Sequence, residues 1–360
     1  MTKTRNQNHD DGEASSSSRK KRLKTYDNGG VGPWSHLSND VLFLVMMQLG
    51  IFDFLSFSRV CKSWRSFALC NRKSFMASKP PMSMLLSSHG FCCLEDFEGR
   101  KLKTIIPHCV GRKCVGLTCG YLILFGRKTK DFWLVNPITR HELNFPAFCL
   151  PNLYIVKATL VFSSSLNDWV FVVSHKNSFN LWFSVSGKGA WNHIPSSYPI
   201  LDLHTFKGKV YTINKNNKYR VCEMTLNPEP KLTFLEMKNI SKLYVSHLVF
   251  ISSGENLYVM DQSSQDSCNV EELDFGKMEW VLPEKKTIEE YAFFLSTWNG
   301  GAAIKPESWA SAAQPPSKYK RYSYDYECMR YITDESQKGG FFGANMWYFP
   351  HECVNVDHIN

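Results

Sequence analysis

LSNDVLFLVMMQLGIFDFLSFSRVCKSWRSFA, residues 37–68, is the stretch that decides the fold of the N-terminal part of this chain. Apolar residues recur in it at helical spacing, and polar or small residues interrupt it at short intervals. Ser38 is a suitable N-cap for a first helix that continues to Leu49. Gly50 is then placed to end this helix. We therefore predict a small helical module at residues 33–78.

Two further helices are predicted in the same stretch. Asp53 can cap a second, short helix that continues to about Ser58. A third helix is expected to begin near Phe57 and to end near Cys70. Three helices of this length bury little apolar surface by themselves, so the module needs support from another part of the chain or from a partner.

The first predicted helix is apolar at every position from 41 to 47. A helix that is apolar all round must be covered on more than one side. The small core of the module covers only one of these sides. We therefore expect the remainder, including Met46 and Met47, to contact another protein. The alternative is burial against the C-terminal domain.

The third predicted helix combines an apolar stripe with three cations. The stripe consists of Phe57, Val60, Cys61, Trp64 and Ala68, and the cations outside it are Arg59, Lys62 and Arg65. The stripe places Cys61 on the inward side, and we do not expect a reactive thiol there. The cations are typical of a solvated helix face, although they could also contact phosphates.

The positive charge of the chain is concentrated near its N-terminus. The 360 residues have a formal net charge of +9. Residues 1–30 carry seven Lys/Arg against four Asp/Glu, residues 31–80 six against two, and residues 81–360 only 29 against 27. The bulk of the protein is therefore near neutral, and we do not expect nucleic acid as its partner.

Residues 1–32 are predicted to be a disordered basic tail, because they contain almost no apolar side chains. Its basic run is Arg19, Lys20, Lys21, Arg22 and Lys24, which is a possible nuclear-import signal. A solvated tail without a receptor is the alternative. We expect a protein of the nucleus and the cytoplasm.

The chain shows neither a signal peptide nor a membrane span. The N-terminus is polar, and the densest apolar run has only seven residues, against the ~18 that a span needs. We therefore expect a soluble intracellular protein with no membrane partner. Its twelve cysteines are then predicted to be reduced thiols.

From about Met82 onward the pattern becomes that of a β protein. Short β-branched and aromatic runs alternate with Gly, Asn, Ser and Pro. A weak repeat closes with LNFP at Pro146, WNHIP at Pro195 and WVLP at Pro283, and FLEM at residues 234–237 fills the gap between the last two. The closing prolines are 49 and 88 residues apart, and 88 is twice 44. A period of about 44–50 residues matches a four-stranded propeller blade. We predict a β-propeller of about six blades at residues 82–350, with a two-sheet sandwich as the alternative.

No catalytic, cofactor-binding or metal site is predicted. Motifs for hydrolases, metalloproteases, phosphate-binding loops and dinucleotide sites are absent from the sequence. The cluster His108, Cys109, Cys114 and Cys119, with Cys92 and Cys93 before it, lacks the paired close spacing of zinc modules. SGKGAW at Ser186, Asn136-Pro137 and Asn227-Pro228 are interpreted as turns.

The long segment from Lys305 to Tyr326 is rich in Pro, Tyr and cations. A loop of this length in a compact domain is usually functional or disordered. Its residues Tyr319, Arg321, Tyr322 and Tyr324 would suit a protein or peptide ligand. We name them as a possible target-binding loop; a strand with tyrosines on one face is the alternative.

Residues 34–68 resemble an F-box, on the basis of Leu37, Asp40, Leu49, Asp53 and the run VCKSWR at residues 60–65. One position departs from the family, because Ser38 stands where a Pro is usual. The resemblance implies docking on the Skp adaptor of cullin ubiquitin ligases. The contact residues that it implies are Leu37, Val41, Leu42, Val45, Leu49, Phe57, Val60, Cys61 and Trp64, some of which must also form the core of the module.

The remainder, roughly residues 84–350, resembles plant F-box proteins with a kelch-like propeller, through GYLILFG, FWLVNPITRHELNFP and DLHTFKGKVYTIN. The sequence thus predicts a mainly β protein with a small N-terminal α module, and a non-catalytic receptor that brings an unknown target protein to a cullin ligase. Two other hypotheses are a nuclear, nucleic-acid-associated regulator that uses the basic N-terminal region, and an enzyme with its site on the propeller face.

Overall fold

The structure is a computed structural model of the full chain. It describes residues 34, 37–87, 89–96, 99–145, 147–148, 155–164, 166–175, 178–215, 219–227, 229–239, 248–261, 270–283, 291–296, 300–305, 321–324, 329–332, 340–344 and 346–350.

Three helices form the N-terminal module: α1 (Asn39–Gln48), α2 (Ile51–Phe57) and α3 (Lys62–Ala77). The prediction for α1 is confirmed, since the Ser38 side chain accepts a hydrogen bond from the Val41 N–H. The serine thus supplies a cap where the F-box family usually has proline.

The predicted boundaries of the second and third helices are wrong. Gly50 is the N-cap of α2, and Asp53 lies in the first turn of that helix. A turn at residues 58–60 separates α2 from α3, and Cys61 is the N-cap of α3. The stripe from Phe57 to Ala68 is therefore divided between two helices, although its period fits a single one.

The remainder of the described chain consists of strands. They are β1 (Met82–Leu86), β2 (Phe91–Glu95), β3 (Lys101–Ile105), β4 (Arg112–Thr118), β5 (Tyr121–Gly126), β6 (Phe132–Val135), β7 (Glu142–Phe145), β8 (Ile155–Ser163), β9 (Asp168–His175), β10 (Ser178–Val185), β11 (Asn192–Phe206), β12 (Lys209–Lys215), β13 (Tyr219–Thr225), β14 (Lys231–Phe234), β15 (Leu248–Ser252), β16 (Leu257–Asp261), β17 (Val270–Asp274), β18 (Glu279–Val281), β19 (Ala292–Ser296), β20 (Gly300–Ile304), β21 (Arg321–Tyr324), β22 (Met329–Ile332), β23 (Gly340–Ala344) and β24 (Met346–Tyr348).

The strands form mostly antiparallel sheets in chain order. One sheet has the order β24-β1-β2-β3, a second has β4-β5-β6-β7, and two seven-stranded sheets follow. The long strand β11 pairs with β10 through its first half and with β12 through its second, with register shifts near Ile200. Divided at this point, this sheet gives two four-stranded groups. The other seven-stranded sheet consists of the four strands β15 to β18 and the three strands β20, β19 and β23, so that these four sheets form six groups, five of them four-stranded. The predicted β-propeller class is confirmed.

The four copies of the repeat found in the sequence coincide with the ends of four strand groups. Residues 143–145 lie on β7, residues 192–195 begin β11, Phe234 ends β14, and residues 280–281 lie on β18. Pro146 lies outside the described residues. Strands β7, β14 and β18 are all at the edge of their sheets. The closing apolar residues therefore mark the last strand of a blade.

The apolar core is divided into clusters between successive sheets. The second sheet packs on the group β8–β11 through residues such as Phe132 and Phe171. Other clusters join the later groups, and the last cluster includes Phe294 and Trp347. This succession, in which the C-terminal β24 completes the sheet of β1 to β3, is the arrangement of a propeller.

The three helices pack directly on the first two sheets. Their buried residues Met46, Phe57 and Phe75 belong to the same cluster as Met84 and Leu124. Met46 is fully buried, so the expectation that it contacts another protein is wrong. The small module gains its missing cover on this side from the propeller.

The predicted turns at SGKGAW and Asn136-Pro137 are confirmed. Gly187 and Gly189 both have positive φ, 70° and 64°, in the connection between β10 and β11. The Asn136 side chain accepts hydrogen bonds from the N–H groups of Ile138 and Thr139, each at 2.9 Å. Pro228 of the third predicted turn lies outside the described residues.

Candidate adaptor-binding surface

Helix α1 exposes apolar side chains on the side opposite its buried residues. Leu42 and Met46, one turn apart, point into the core. Val41, Leu44 and Val45 are exposed and share the other side, since residues three and four apart are neighbours on a helix. We call these three residues the apolar face of α1. Leu44 is 65% exposed.

The structure divides the predicted adaptor contacts into three groups. Val41, Val45 and Val60 are exposed. Leu42 and Phe57 are buried and belong to the core of the protein. The four remaining residues, Leu37, Leu49, Cys61 and Trp64, are partly buried.

Four exposed apolar side chains of this region were missed by the sequence analysis: Trp34, Phe43, Leu44 and Leu69. The signal for Phe43 and Leu44 was present, because they lie inside the all-apolar run of α1. Leu69 follows the buried Ala68, and only the position of α3 against the sheet distinguishes the two.

Trp64 and Cys61 hold the turn between α2 and α3 in place. The Trp64 ring lies 4.6 Å from the ring of Phe57, between centroids. Its Nε1–H donates to the Trp34 carbonyl at 3.0 Å. The Cys61 sulfur accepts from the Trp64 backbone N–H at 3.5 Å. Cys61 therefore has a capping role, and Trp64 fixes the chain before α1 against α3.

Contacts at the base of the module hold its three helices together. Phe54 stacks on Phe75 with centroids 4.2 Å apart. The Lys79 ammonium donates to the Met47 carbonyl at 2.8 Å and lies 4.5 Å from the Phe75 ring centroid. This cation satisfies a carbonyl near the C-terminus of α1, where helices favour positive charge. The apolar face of α1 is thus presented on a rigid base.

The three cations of the opening stretch are on the surface. Arg59, Lys62 and Arg65 are all exposed. None of the ion pairs found among the described residues includes them. This arrangement fits the interpretation of a solvated helix face.

Of the cysteines considered for zinc, Cys93, Cys109 and Cys114 all lie near Cys92. Cys92 and Cys109 are buried, and burial together with neighbouring thiols raises the pKa of Cys92 to about 12. Burial also raises the pKa of Cys109. Within the described ranges, no group of three or more His, Cys, Asp or Glu is arranged to hold a metal ion.

Three of the predicted target-binding residues lie on a strand. Arg321, Tyr322 and Tyr324 belong to β21, which pairs with β22 in a two-stranded sheet. A strand in this segment was part of the alternative that the sequence left open. The role of the segment in binding stays a prediction. Tyr319 lies outside the described residues, as do the five cations of the possible import signal.

In the described part of the chain, no helix has both the length and the apolar character required to span a membrane.

Two family models match this sequence. The F-box domain matches residues 34–73, which cover the three helices. The KIB1-4 beta-propeller matches residues 91–310, which cover β2 through β20. The boundary between the two matches falls close to the point where the helices give way to strands.

The F-box protein At1g10110 of Arabidopsis thaliana is 23% identical over 242 residues, which cover 57% of this chain and 59% of that protein. Among solved structures, the dihydro-heme d1 dehydrogenase NirN aligns with a TM-score of 0.36 at 9% identity, over 63% of this chain and 56% of that one. A hydrazine synthase chain of Kuenenia stuttgartiensis aligns with a TM-score of 0.34 at 11% identity, over 55% and 77%. These structural likenesses are too weak to inform function. The match over more than half of the sequence shows that the chain belongs to the KIB1-4 beta-propeller family and has an F-box domain before the propeller.

Proposed function

We propose that this protein is a substrate-recognition subunit of an SCF-type cullin ubiquitin ligase. Its F-box docks on a Skp-type adaptor, and its propeller binds a target protein. The single observation that supports this most strongly is the apolar face of α1, which is exposed although the helix is firmly packed on its other side. Exposed apolar surface of this kind marks a protein interaction site.

The adaptor contacts that we propose are Val41, Leu44, Val45 and Val60. This set keeps the exposed members of the sequence prediction and adds Leu44. Leu42 and Phe57 are assigned to the core, and they support the surface without forming it. Trp64 acts through the turn that it stabilises.

The chain itself makes and breaks no bond in this proposal. By holding the target near a ligase-bound ubiquitin carrier, it raises the effective concentration of target lysines. We propose further that the propeller is of the kelch-like type. A target-binding role for Arg321, Tyr322 and Tyr324 belongs to the same proposal. So does the import signal in the tail, which would place the complex in the nucleus as well as the cytoplasm.

Co-purification of the full chain with a Skp adaptor tests the docking step. We expect the double variant Val41→Asp/Val45→Asp to lose the adaptor, because two carboxylates would be desolvated at the interface. Both residues are exposed, so the variant should fold. The control is Phe179→Asp, which changes an exposed apolar residue of β10 in the propeller. Undiminished recovery of the adaptor with the double variant would contradict the proposal.

A further inference from the structure

The propeller contains a central cavity of about 600 Å³. Residues of β4, β8, β11, β15, β19 and β24 line it, so that almost every strand group contributes to its wall. Small-molecule sites in proteins occupy about 300–1,000 Å³ and combine an apolar wall with a few convergent polar groups. The size of this cavity is therefore that of a ligand site.

Polar side chains recur around the cavity at the period of the blades. Five of them each come from a different strand: Thr118, Thr159, His204, Ser252 and Ser296. Successive members of these five are 41, 45, 48 and 44 residues apart. Thr205, beside His204 on β11, also lines the cavity. One small polar group from each of five strand groups thus faces the same space, in a lining that is otherwise rich in apolar residues.

This polar ring is internally hydrogen-bonded and neutral. The Thr159 hydroxyl donates to the Thr118 Oγ1 at 3.4 Å, and Thr118 donates to the Leu160 carbonyl at 2.9 Å. The His204 Nε2 and the Ser252 Oγ are 2.8 Å apart. Burial, together with the Lys157 ammonium, lowers the pKa of His204 to about 3, so that this imidazole is uncharged at neutral pH.

Two lysines line the cavity. Lys207 is exposed to solvent, with its ammonium 5.2 Å from the Phe206 ring centroid. Lys157 is nearly buried and is already compensated in charge. The Lys157 ammonium donates to the Asp202 Oδ1 at 2.6 Å, and both side chains are nearly buried. The Asp202 Oδ2 accepts from the Phe250 N–H at 2.9 Å, which ties β8, β11 and β15 together. An ammonium has three N–H donors, so Lys157 can still donate to a ligand. An anionic ligand would add an uncompensated charge to this ion pair.

Aromatic side chains form the apolar part of the wall. Phe206, Trp347 and Phe349 are nearly buried, and Phe162 is 41% exposed. Flat side chains with few rotatable bonds are well suited to contact an apolar ring at low entropic cost.

We infer that the central cavity binds a neutral small molecule with an apolar ring system and a carbonyl or hydroxyl oxygen. The oxygen accepts a hydrogen bond from the Lys157 ammonium, and the ring system lies against Phe162, Phe206 and Trp347. This site is separate from the apolar face of α1, and the inference does not depend on adaptor binding.

Titration with prodan, a fluorescent neutral naphthalene ketone, tests the inference on the full chain. We expect saturable binding of one molecule with a blue shift of the emission. Phe162→Ala should weaken binding about fivefold, through lost apolar contact. The matched control is Phe179→Ala, since Phe179 is 53% exposed and does not line the cavity; it should leave the affinity unchanged.

A second variant tests the polar contact. Lys157→Met/Asp202→Asn removes the ion pair without leaving an unpaired charge. If it retains the near-ultraviolet circular dichroism of the parent, prodan should bind about tenfold more weakly, as expected for loss of a hydrogen bond to a charged group. If it does not fold, the comparison of Phe162→Ala with Phe179→Ala remains decisive.

A matched pair of competitors tests the charge of the ligand. The neutral ketone 2-acetylnaphthalene should displace prodan at lower concentration than the carboxylate 2-naphthoate, which has nearly the same shape. Stronger competition by the carboxylate would overturn the assignment of a neutral ligand. Absence of saturable prodan binding, or equal affinity in Phe162→Ala and the parent, would overturn the site itself.

Discussion

Two apolar runs of similar composition differ in burial in this molecule. Residues 121–125 of strand β5 are all buried, and Gly126 with them. Residues 41–47 of helix α1 contain only two buried side chains, Leu42 and Met46. Both runs would be placed in a core on hydropathy alone.

The difference arises from what the rest of the chain can cover. Strand β5 is internal to its sheet, and the residues of its two faces belong to two separate clusters, one with Leu122 and one with Ile123. Helix α1 has cover on one side, and its other side faces outward. The exposed apolar side of α1 is the observation on which we base the proposed docking of an adaptor.

The largest effect is expected where the two regions share a core. Phe75 is fully buried and stacks on Phe54 within the cluster that joins the helices to the first sheets. We expect Phe75→Ala to lower the free energy of unfolding by about 3–5 kcal/mol. In urea, helical and propeller signals should be lost together. A separate early loss of helix at an unchanged propeller midpoint would show that the module is not part of this core.

A smaller effect is expected at the carboxylate beside β6. Burial alone would raise the pKa of Asp131, but hydrogen bonds from Arg112, Thr129 and Trp133 and the charge of Arg112 lower it to about 2. The Arg112 Nη2 lies 2.6 Å from the Asp131 Oδ2. Because the pKa is depressed in the folded state, its contribution is complete above about pH 4 and is lost as the pH falls through about 2.

The depressed pKa of Asp131 predicts how the difference in stability between the parent and the Asp131→Asn variant depends on pH. Asp131→Asn should lower the free energy of unfolding by about 2 kcal/mol at pH 7. Between pH 4 and 2 the parent should lose that advantage, so that the two stabilities converge. Urea denaturation at several pH values measures this. A constant difference over that range would contradict the assigned ionisation.

The smallest effect is expected at the exposed cations of the turn before α3 and of its first turn. Replacing Arg59, Lys62 and Arg65 together by Gln should change adaptor affinity by no more than about twofold, since exposed charges contribute little. The alternative of a nucleic-acid-binding region predicts retention on a DNA column that falls steeply with salt and is abolished in the variant. Such retention would favour that alternative.

Local signals in the sequence were sufficient for α1 and for the blades. The cap at Ser38 lies beside the helix that it starts, and the repeat from LNFP to WVLP marks one strand per group. The stripe from Phe57 to Ala68 misled because its helical period continues across a turn. The period alone does not reveal that the Cys61 sulfur caps a new helix.

Contacts between distant residues could not be predicted in the same way. Met46 differs from its exposed neighbours only in facing the propeller, which depends on how the module packs. The polar residues of the cavity recur at the period of the blades. Nothing in the local sequence around Thr118 or His204 indicates that the two line one cavity, because only the folded propeller brings their strands together. Such sites depend on tertiary structure and not on a local pattern.

The most direct measurement compares two exposed leucines, one from each region. Leu44 is 65% exposed on α1, and Leu85 is 56% exposed on β1. The affinity of the purified full chain for a Skp adaptor is to be measured for Leu44→Asp and Leu85→Asp. We predict that Leu44→Asp weakens binding by about 30-fold or more, as for an interface hot spot, while Leu85→Asp stays within about twofold of the parent. Equal affinities in the two variants would contradict the assignment of α1 as the docking surface.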